Sequence, residues 1–472
     1  MAKPERSSSS RRRGEPDAST RYEGGGSSLT PASLAGGPGG ATPGQAVCRS
    51  VWQSVRGAGR LGALTPRSHT GTPRRPAPRP RVWLIFSISA AGVMSNTLIV
   101  AAIPDILDHF GRGPSDAGIL VAVGPAPAIL ITPMIGILAD RFGRRALIAP
   151  SLVLFGTAGA VAGLSTSWPM LLAARFVQGI GGSGLIALSV VLISDHWEGE
   201  DRIRLIGRNT AVITVCLALF PALGGSLTQL STWRLAFAPF ALAPFVGVVM
   251  WWRLPRHRVG QVRTMGEQLR GMVAGLRRPV VALSTVYAAV VFILIFGLFL
   301  TTLPLFLDQE FGLGPRNRGL VTSVPSVTST VAALLLYRVR SALGARGLLA
   351  GGSLLMGLAY VTMGLAPALW VMVAAALVYG WAEGLTLPTA QELVATNAPD
   401  RERAAVLGAY TATARTGQVI GPLVVGVALG FTGSRTVLVV GGVVLLLMTA
   451  VQLAVPFTRP RSSGVGSGAG GG

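Results

Sequence analysis

Charge is scarce in this chain: of its 472 residues only 13% are Asp, Glu, Lys or Arg, whereas 50% are hydrophobic. Soluble domains carry roughly twice that share of charge. The deficit excludes an ordinary soluble protein and, with a mean hydropathy of +0.55, points to lipid as the solvent. Cysteine is almost missing too: Cys48 and Cys216 lie far apart and make neither a metal nor a redox spacing. No Walker loop, zinc spacing or nucleophile constellation is found. The isolated His109, His196 and His257 fall near the ends of apolar runs or in loops, where no ligand role is expected. No enzyme, metal site or cofactor is therefore expected. Acids are fewer than bases, 19 against 41, for a net charge of +22. Such a balance could suggest a nucleic-acid partner. However, residues 1–81 hold 14 of the bases and 4 of the acids, a net +10. The remaining Arg sit mostly in short loops between apolar runs, which is the pattern of membrane topology, so no nucleic-acid binding is expected.

What is present sorts into segments. Residues 1–81 are rich in Ser, Gly, Arg and Pro with almost no apolar periodicity. They cannot bury enough surface to offset chain entropy and are expected to be disordered. No secretory signal is read there. The segment is either a basic arm for anionic headgroups or a dispensable extension, since a start near Val82 would leave the membrane domain whole. From Val82 onward apolar stretches of roughly 20 to 27 residues recur twelve times, each long enough to cross a hydrocarbon core of about 30 Å as a helix. The expected organisation is a six-helix bundle over residues 82–254, a cytoplasmic linker over 255–280, a second six-helix bundle over 281–456 and a Gly/Ser-rich disordered tail over 457–472. Arg residues cluster after the even-numbered spans, as in Arg141, Arg144 and Arg145 after span two and Arg401 and Arg403 after span ten. Both termini are therefore expected in the cytoplasm.

The halves repeat. An offset of 201 lines up Phe110-Gly111 with Phe311-Gly312, Gly143 and Arg145 with Gly344 and Arg346, and Gly179 with Gly380. It also pairs Arg202 with Arg403, Gly207 with Gly408, Pro221 with Pro422 and Gly225 with Gly426. One constant offset over five regions implies two bundles in the same orientation, related by an axis along the membrane normal, with a substrate cavity where they meet.

At the end of span two the chain reads Gly136-Ile137-Leu138-Ala139-Asp140-Arg141-Phe142-Gly143-Arg144-Arg145. Gly136 and Gly143 let backbones approach and turn, and Asp140 with the Arg cluster offers charge pairs that can form in one conformation and break in another. The run resembles, at every position, the signature loop of the major facilitator superfamily. The resemblance covers about residues 82–456. It implies an all-α membrane protein with twelve transmembrane helices in two pseudo-symmetric six-helix bundles, like the drug:proton antiporter group. It further implies that Asp140, Arg141 and Arg144 latch the cytoplasmic side against the second bundle, around Asp400 to Ala404. The equivalent second-half loop keeps only Gly344 and Arg346.

Other spans carry family-like motifs. Leu171, Arg175, Gln178, Gly179 and Gly181 in span four are similar to a second family motif. An Arg at a helix centre in a bilayer costs on the order of 2.5 to 3.5 kcal/mol, so Arg175 should face the bundle interior and find acceptors. The resemblance implies that it assists proton movement, and the plainer reading is that it pins span four to its neighbours. Gly207, Pro221, Gly224 and Gly225 in span five match an antiporter signature in which Cys216 and Phe220 replace glycines. Span eleven, with Gly408, Gly417, Gly421, Pro422 and Gly426, departs only at Val425. Small residues permit close helix packing and Pro frees a carbonyl, which suits a bendable interface.

Glu383 and Arg415 fall near mid-membrane at a rise of about 1.5 Å per residue. They could pair, either as a static salt bridge or as a proton carrier whose partner comes and goes with conformation. The resemblance implies an acid inside span one, as in many drug exporters of the family, whereas this span holds Asn96, with Asp105 and Asp108 only at its outer end; because of this departure coupling is assigned to Glu383. Asn96, Gln178, Tyr379 and Trp381 are assigned to a substrate cavity, with Phe292, Phe296 and Tyr287 as further aromatic lining. The expected function is proton-coupled export of a small, amphipathic, drug-like compound by alternating access. The expected protein is a monomer in the plasma or inner membrane, with the lipid bilayer, protons and the substrate as its partners and the proton gradient in place of a cofactor. The alternatives are an exporter of one metabolite, such as a siderophore or antibiotic, and a non-transporting membrane sensor or scaffold.

Overall fold

A computed structural model describes residues 79–254, 279–398 and 403–454, all within one compact unit of the chain, residues 75–472. The expected N-terminal arm, nearly all of the 255–280 linker, the C-terminal tail, and Asp400 and Arg401 of the expected latch partner lie outside the described residues.

Every element among the described residues is helical. In the first half these are α1 Val82–Thr97, continued by a 3₁₀ turn Val100–Ala102 into α2 Ile103–His109, then α3 Asp116–Val123, α4 Ala126–Phe142, α5 Arg144–Gly163, α6 Trp168–Gly182, α7 Leu185–His196 and α8 Gly199–Leu230. A 3₁₀ segment Trp233–Ala241 leads into α9 Leu242–Arg253. The second half comprises α10 Pro279–Leu294, a π-helical turn Ile295–Thr302, α11 Leu303–Phe311, α12 Pro315–Gly364, α13 Leu369–Asn397, α14 Arg403–Phe431 and α15 Ser434–Ala454.

Ten helical stretches among the described residues are long and apolar enough to cross a membrane. One of them, α12, is two helices joined at Gly344, whose φ of 67° no helix contains. A further crossing is supplied in two pieces by α3 and α4, broken at Gly124-Pro125, where proline lacks the N–H that would continue the ladder. The expected twelve are reached only by counting α12 twice and the α3–α4 pair once. Large apolar side chains such as Leu230, Phe245, Trp370 and Phe431 stay exposed, an arrangement that water penalises and lipid does not.

The repeat is visible in the backbone. Gly111 and Gly312 take φ of 61° and 59°, and Gly143 and Gly344 take 90° and 67°. Each pair ends a helix with a conformation costly for any residue with a Cβ. Side-chain pins repeat as well. The Arg145 guanidinium stacks over Trp251 at 4.6 Å, and 201 residues later Arg346 donates to the Gln452 carbonyl at 3.3 Å. Arg234 lies 3.3 Å from His109 Nε2, and Arg435 donates to Glu310 Oε2 at 2.7 Å.

The halves meet through small residues. A Cβ on Gly118 of α3 would lie 2.2 Å from the Pro422 carbonyl of α14, and a Cβ on the equivalent Gly319 of α12 would lie 2.2 Å from the Pro221 carbonyl of α8. Gly225 approaches the Pro315 carbonyl and Gly426 the Ser115 carbonyl in the same exchanged fashion. At the opposite ends of α8 and α14, Gly207 and Gly408 have open space around them. The helices at the interface therefore converge at one end of the molecule and part towards the other.

Candidate functional site

A cavity of about 340 Å³ lies between the halves. Asn96, Ser183, Ile186 and Thr214 face it from the first half, and Thr322 and Ser329 from α12. Phe292, Phe296 and Phe299 form an aromatic wall, and Glu383, Arg415 and Gln418 complete the lining from α13 and α14. Its size and mostly apolar surface, with a few polar groups, are those of a small-molecule site.

Above the cavity the halves are tied by charge. Arg318, at the start of α12 and 1% exposed, pairs with Asp105 of α2 in the other half and donates to Asp308 of α11 at 3.2 Å. A charge this buried is stable only while its partners stay. Sequence reasoning missed this clamp, because Arg318 opens an apolar run and reads as an ordinary boundary residue.

On the first-half wall Arg175 is fully buried. It donates to the Ser95 carbonyl at 2.8 Å, to Gln178 Oε1 at 2.6 Å and to Asn96 Oδ1. These acceptors are all neutral, and no carboxylate pairs with Arg175 among the described residues. Asn96 stands between Arg175 and the cavity and donates in turn to the Val121 carbonyl at 3.3 Å. The α3–α4 break makes the room: a Cβ on Gly124 would sit 2.9 Å from the Arg175 guanidinium, and one on Gly179 would sit 1.9 Å from the Gly124 carbonyl. Gln178 is spent on Arg175 and does not reach the lining.

The second-half wall corrects four expectations. Glu383 and Arg415 both line the cavity, yet they are not within ion-pair distance: Arg415 donates to Gln418 Oε1 at 3.0 Å, one turn along its own helix. Tyr379 is fully buried behind the wall, its ring stacked at 5.1 Å on Phe299, which takes the lining position. Trp381 packs against the buried cluster of Ala332, Leu348 and Leu385 instead. Two residues before Glu383, it points about 200° away around the helix. Tyr287 is also absent from the lining, its hydroxyl 3.2 Å from Ser353 Oγ.

At the far end, Gly143 separates α4 from α5, and Arg144 Nε donates to Asp195 Oδ2 at 2.9 Å within the first half. Arg141 lies 5.5 Å from the Phe142 ring. Gly136 falls within α4, and the Asp140 side chain lies outside the described residues. Of the antiporter-like positions, Pro221 lines the cavity, Gly224 and Gly225 pack on the Leu98 and Pro315 carbonyls, and Gly417 and Gly421 pack on the Ala289 and Ile293 carbonyls of α10.

A repeated bundle around a central cavity is the arrangement against which known proteins can be compared. The family model of the Major Facilitator Superfamily matches residues 84–337 and, a second time, residues 287–471. The chain belongs to the major facilitator superfamily. Members of that superfamily are membrane transporters, not enzymes, and this multi-pass chain carries its fold. Among curated proteins this superfamily member is similar to the MFS efflux transporter aclA of Aspergillus oryzae, 29% identical over 174 residues that cover 36% of this chain and 31% of that one. It is also similar to Multidrug resistance protein 1 of Bacillus subtilis, 22% identical over 245 residues that cover 51% of this chain and 61% of that one. The chain thus spans about a quarter to a third of the length of its fungal superfamily relatives. Among solved structures, a bacterial homologue of the human lysosomal transporter Spinster, inward-facing and occupied, superposes with a TM-score of 0.65 at 17% identity, covering 79% of this chain and 95% of that one. The human organic anion transporter MFSD10 gives 0.60 at 19% identity, covering 80% and 100%. These two superpositions establish the fold of this superfamily member.

Proposed function

We propose that this superfamily member is a secondary active transporter that exports small amphipathic, drug-like compounds in exchange for protons by alternating access. The observation that carries the reading is one cavity at the junction of two repeated halves, tied shut at one end by Asp105, Arg318 and Asp308, with a carboxylate, Glu383, in its wall. With both termini in the cytoplasm and the protein in the plasma or inner membrane, the tied end is the outer one. The conformation is then inward-facing. Rocking of the halves would open the outer end at the cost of the Arg318 clamp and close the inner end, where Asp140, Arg141 and Arg144 serve as the latch. Glu383 carries the proton: in the inward-facing state it gives the proton up to the cytoplasm and meets the guest as a carboxylate, and it takes a proton up again once the outer end has opened and the guest has left. Arg175, held by Asn96 and Gln178, stiffens the facing wall. The efflux name of the relative in Aspergillus oryzae supports the direction of transport, and the multidrug-resistance name of the relative in Bacillus subtilis supports the substrate class.

The test is accumulation of a fluorescent cationic dye in efflux-deficient cells expressing the full chain, with and without a protonophore. Lower accumulation that the protonophore abolishes is the expected result. Accumulation equal to that of cells lacking the protein removes gradient-driven export of such dyes and leaves a dedicated metabolite exporter, or a sensor that moves nothing, as the reading to pursue.

A further inference from the structure

Among the described residues that line the cavity only Glu383 and Arg415 are ionisable, and as ions they carry opposite charges. Neither neutralises the other, since no ion pair forms between them among the described residues. The Glu383 carboxylate makes no hydrogen bond to another side chain there, and of the five N–H donors of Arg415 one is used, on Gln418. Two opposite charges held apart in one low-dielectric cavity are costly while unpaired, and a guest that brings both complements relieves both. A pure cation would answer Glu383 and leave Arg415 without a counter-charge. A pure anion would do the reverse. Phe292, Phe296 and Phe299 line the same cavity and offer aromatic surface for an apolar body, and a ring face also favours a nearby cation. The volume of about 340 Å³ restricts that body to a few rings.

We propose that the cavity is a site for an amphoteric guest, a small aromatic molecule whose cationic group meets Glu383 and whose anionic group meets Arg415. This rests on the transport reading and narrows its substrate class from amphipathic to zwitterionic. The spacing between the two charged groups of the guest is set by the gap that the Glu383 and Arg415 side chains do not close, less the two contacts that the guest makes.

The experiment is equilibrium binding to the full chain in lipid nanodiscs, with three forms of one body: phenylalanyl-phenylalanine with both termini free, its C-terminal amide, which is a cation, and its N-acetyl derivative, which is an anion. A second triple, tryptophan with its amide and N-acetyl forms, repeats the test with the charges closer together. The expected result is at least tenfold tighter binding of the free dipeptide than of either capped form, with a smaller preference in the tryptophan triple. Arg415→Gln should lower the ratio of zwitterion to amide affinity towards one, and Glu383→Gln the ratio of zwitterion to acetyl form. Arg415→Lys, which keeps the charge, should restore most of the first ratio. Equal binding of all three forms in both triples, a tighter fit for either capped form, or no binding by any form overturns the proposal. If cationic dye export survives such a result, the substrate class is wrong and the transport reading stands. If the zwitterion binds but no protonophore-sensitive export of dye or dipeptide is found, the export reading falls instead.

Discussion

The two halves share a frame and divide the chemistry. Glycines at helix ends, small residues at the crossing points and the Arg pins recur at the offset of 201, down to the exchanged contacts of Gly118 with Pro422 and Gly319 with Pro221. The charges that face or flank the cavity do not recur. The second-half counterpart of Arg175 is Ala376, and that of Asn96 is Gly297, whereas Glu383 and Arg415 correspond to Gly182 and Thr214 in the first half. A symmetric frame lets two bundles rock about one site. An asymmetric set of charges gives the site two different walls, one locked by internal hydrogen bonds and one left open to partners.

That comparison can be broken first at the frame. Gly118→Leu and Gly319→Leu each place a side chain where even a Cβ meets a carbonyl at 2.2 Å. Both should prevent the outer end from closing and reduce transport at least tenfold, by equal amounts; a strong effect from one and none from the other would show that the two crossings are not equivalent. Next in size is Arg318→Ala. Breaking a buried pair by removing one partner costs about 3–5 kcal/mol, and here the loss falls on the conformation in which the clamp is formed. Cysteine accessibility at the outer end should rise while the fold, followed by helical content, persists. The same substitution has no first-half equivalent, since that position is Ala117. Smaller again is Asn96→Ala, which strands a guanidinium donor of Arg175 at a cost of about 1–3 kcal/mol. It should lower the melting temperature measurably, whereas Gly297→Ala, at the equivalent place, tests only the approach of Gly297 to Gly421 and Val425.

How far the sequence foretold the structure depends on what each feature rests on. The bundle, the repeat and the cavity position follow from run length, Arg placement and one offset, all linear properties of the chain. The need of Arg175 for interior acceptors was also legible, because a guanidinium in a bilayer must find them, although Asn96 lies 79 residues away. Rotation about a helix axis was legible only in part. Residues at positions 381 and 383 point about 200° apart, so Trp381 could not share the wall with Glu383. By contrast, Tyr379 sits on nearly the same face as Glu383, one turn away, and is hidden only because Phe299 from another span stacks on it. The Arg318 clamp joins residues 213 apart in the chain and belongs to no motif, so no local signal marks it. Whether two mid-membrane charges actually touch is likewise a property of the conformation adopted, which residue types alone do not fix.

The most direct test of the asymmetric-wall account is dye efflux from proteoliposomes holding the full chain, driven by an imposed pH gradient, for the wild type and Glu383→Gln. The account predicts that the gradient-driven component falls at least tenfold in Glu383→Gln and no longer responds to pH, while helical content and the outer clamp are unchanged. Efflux at the wild-type rate with the wild-type pH dependence would contradict it and move the coupling away from the second-half wall.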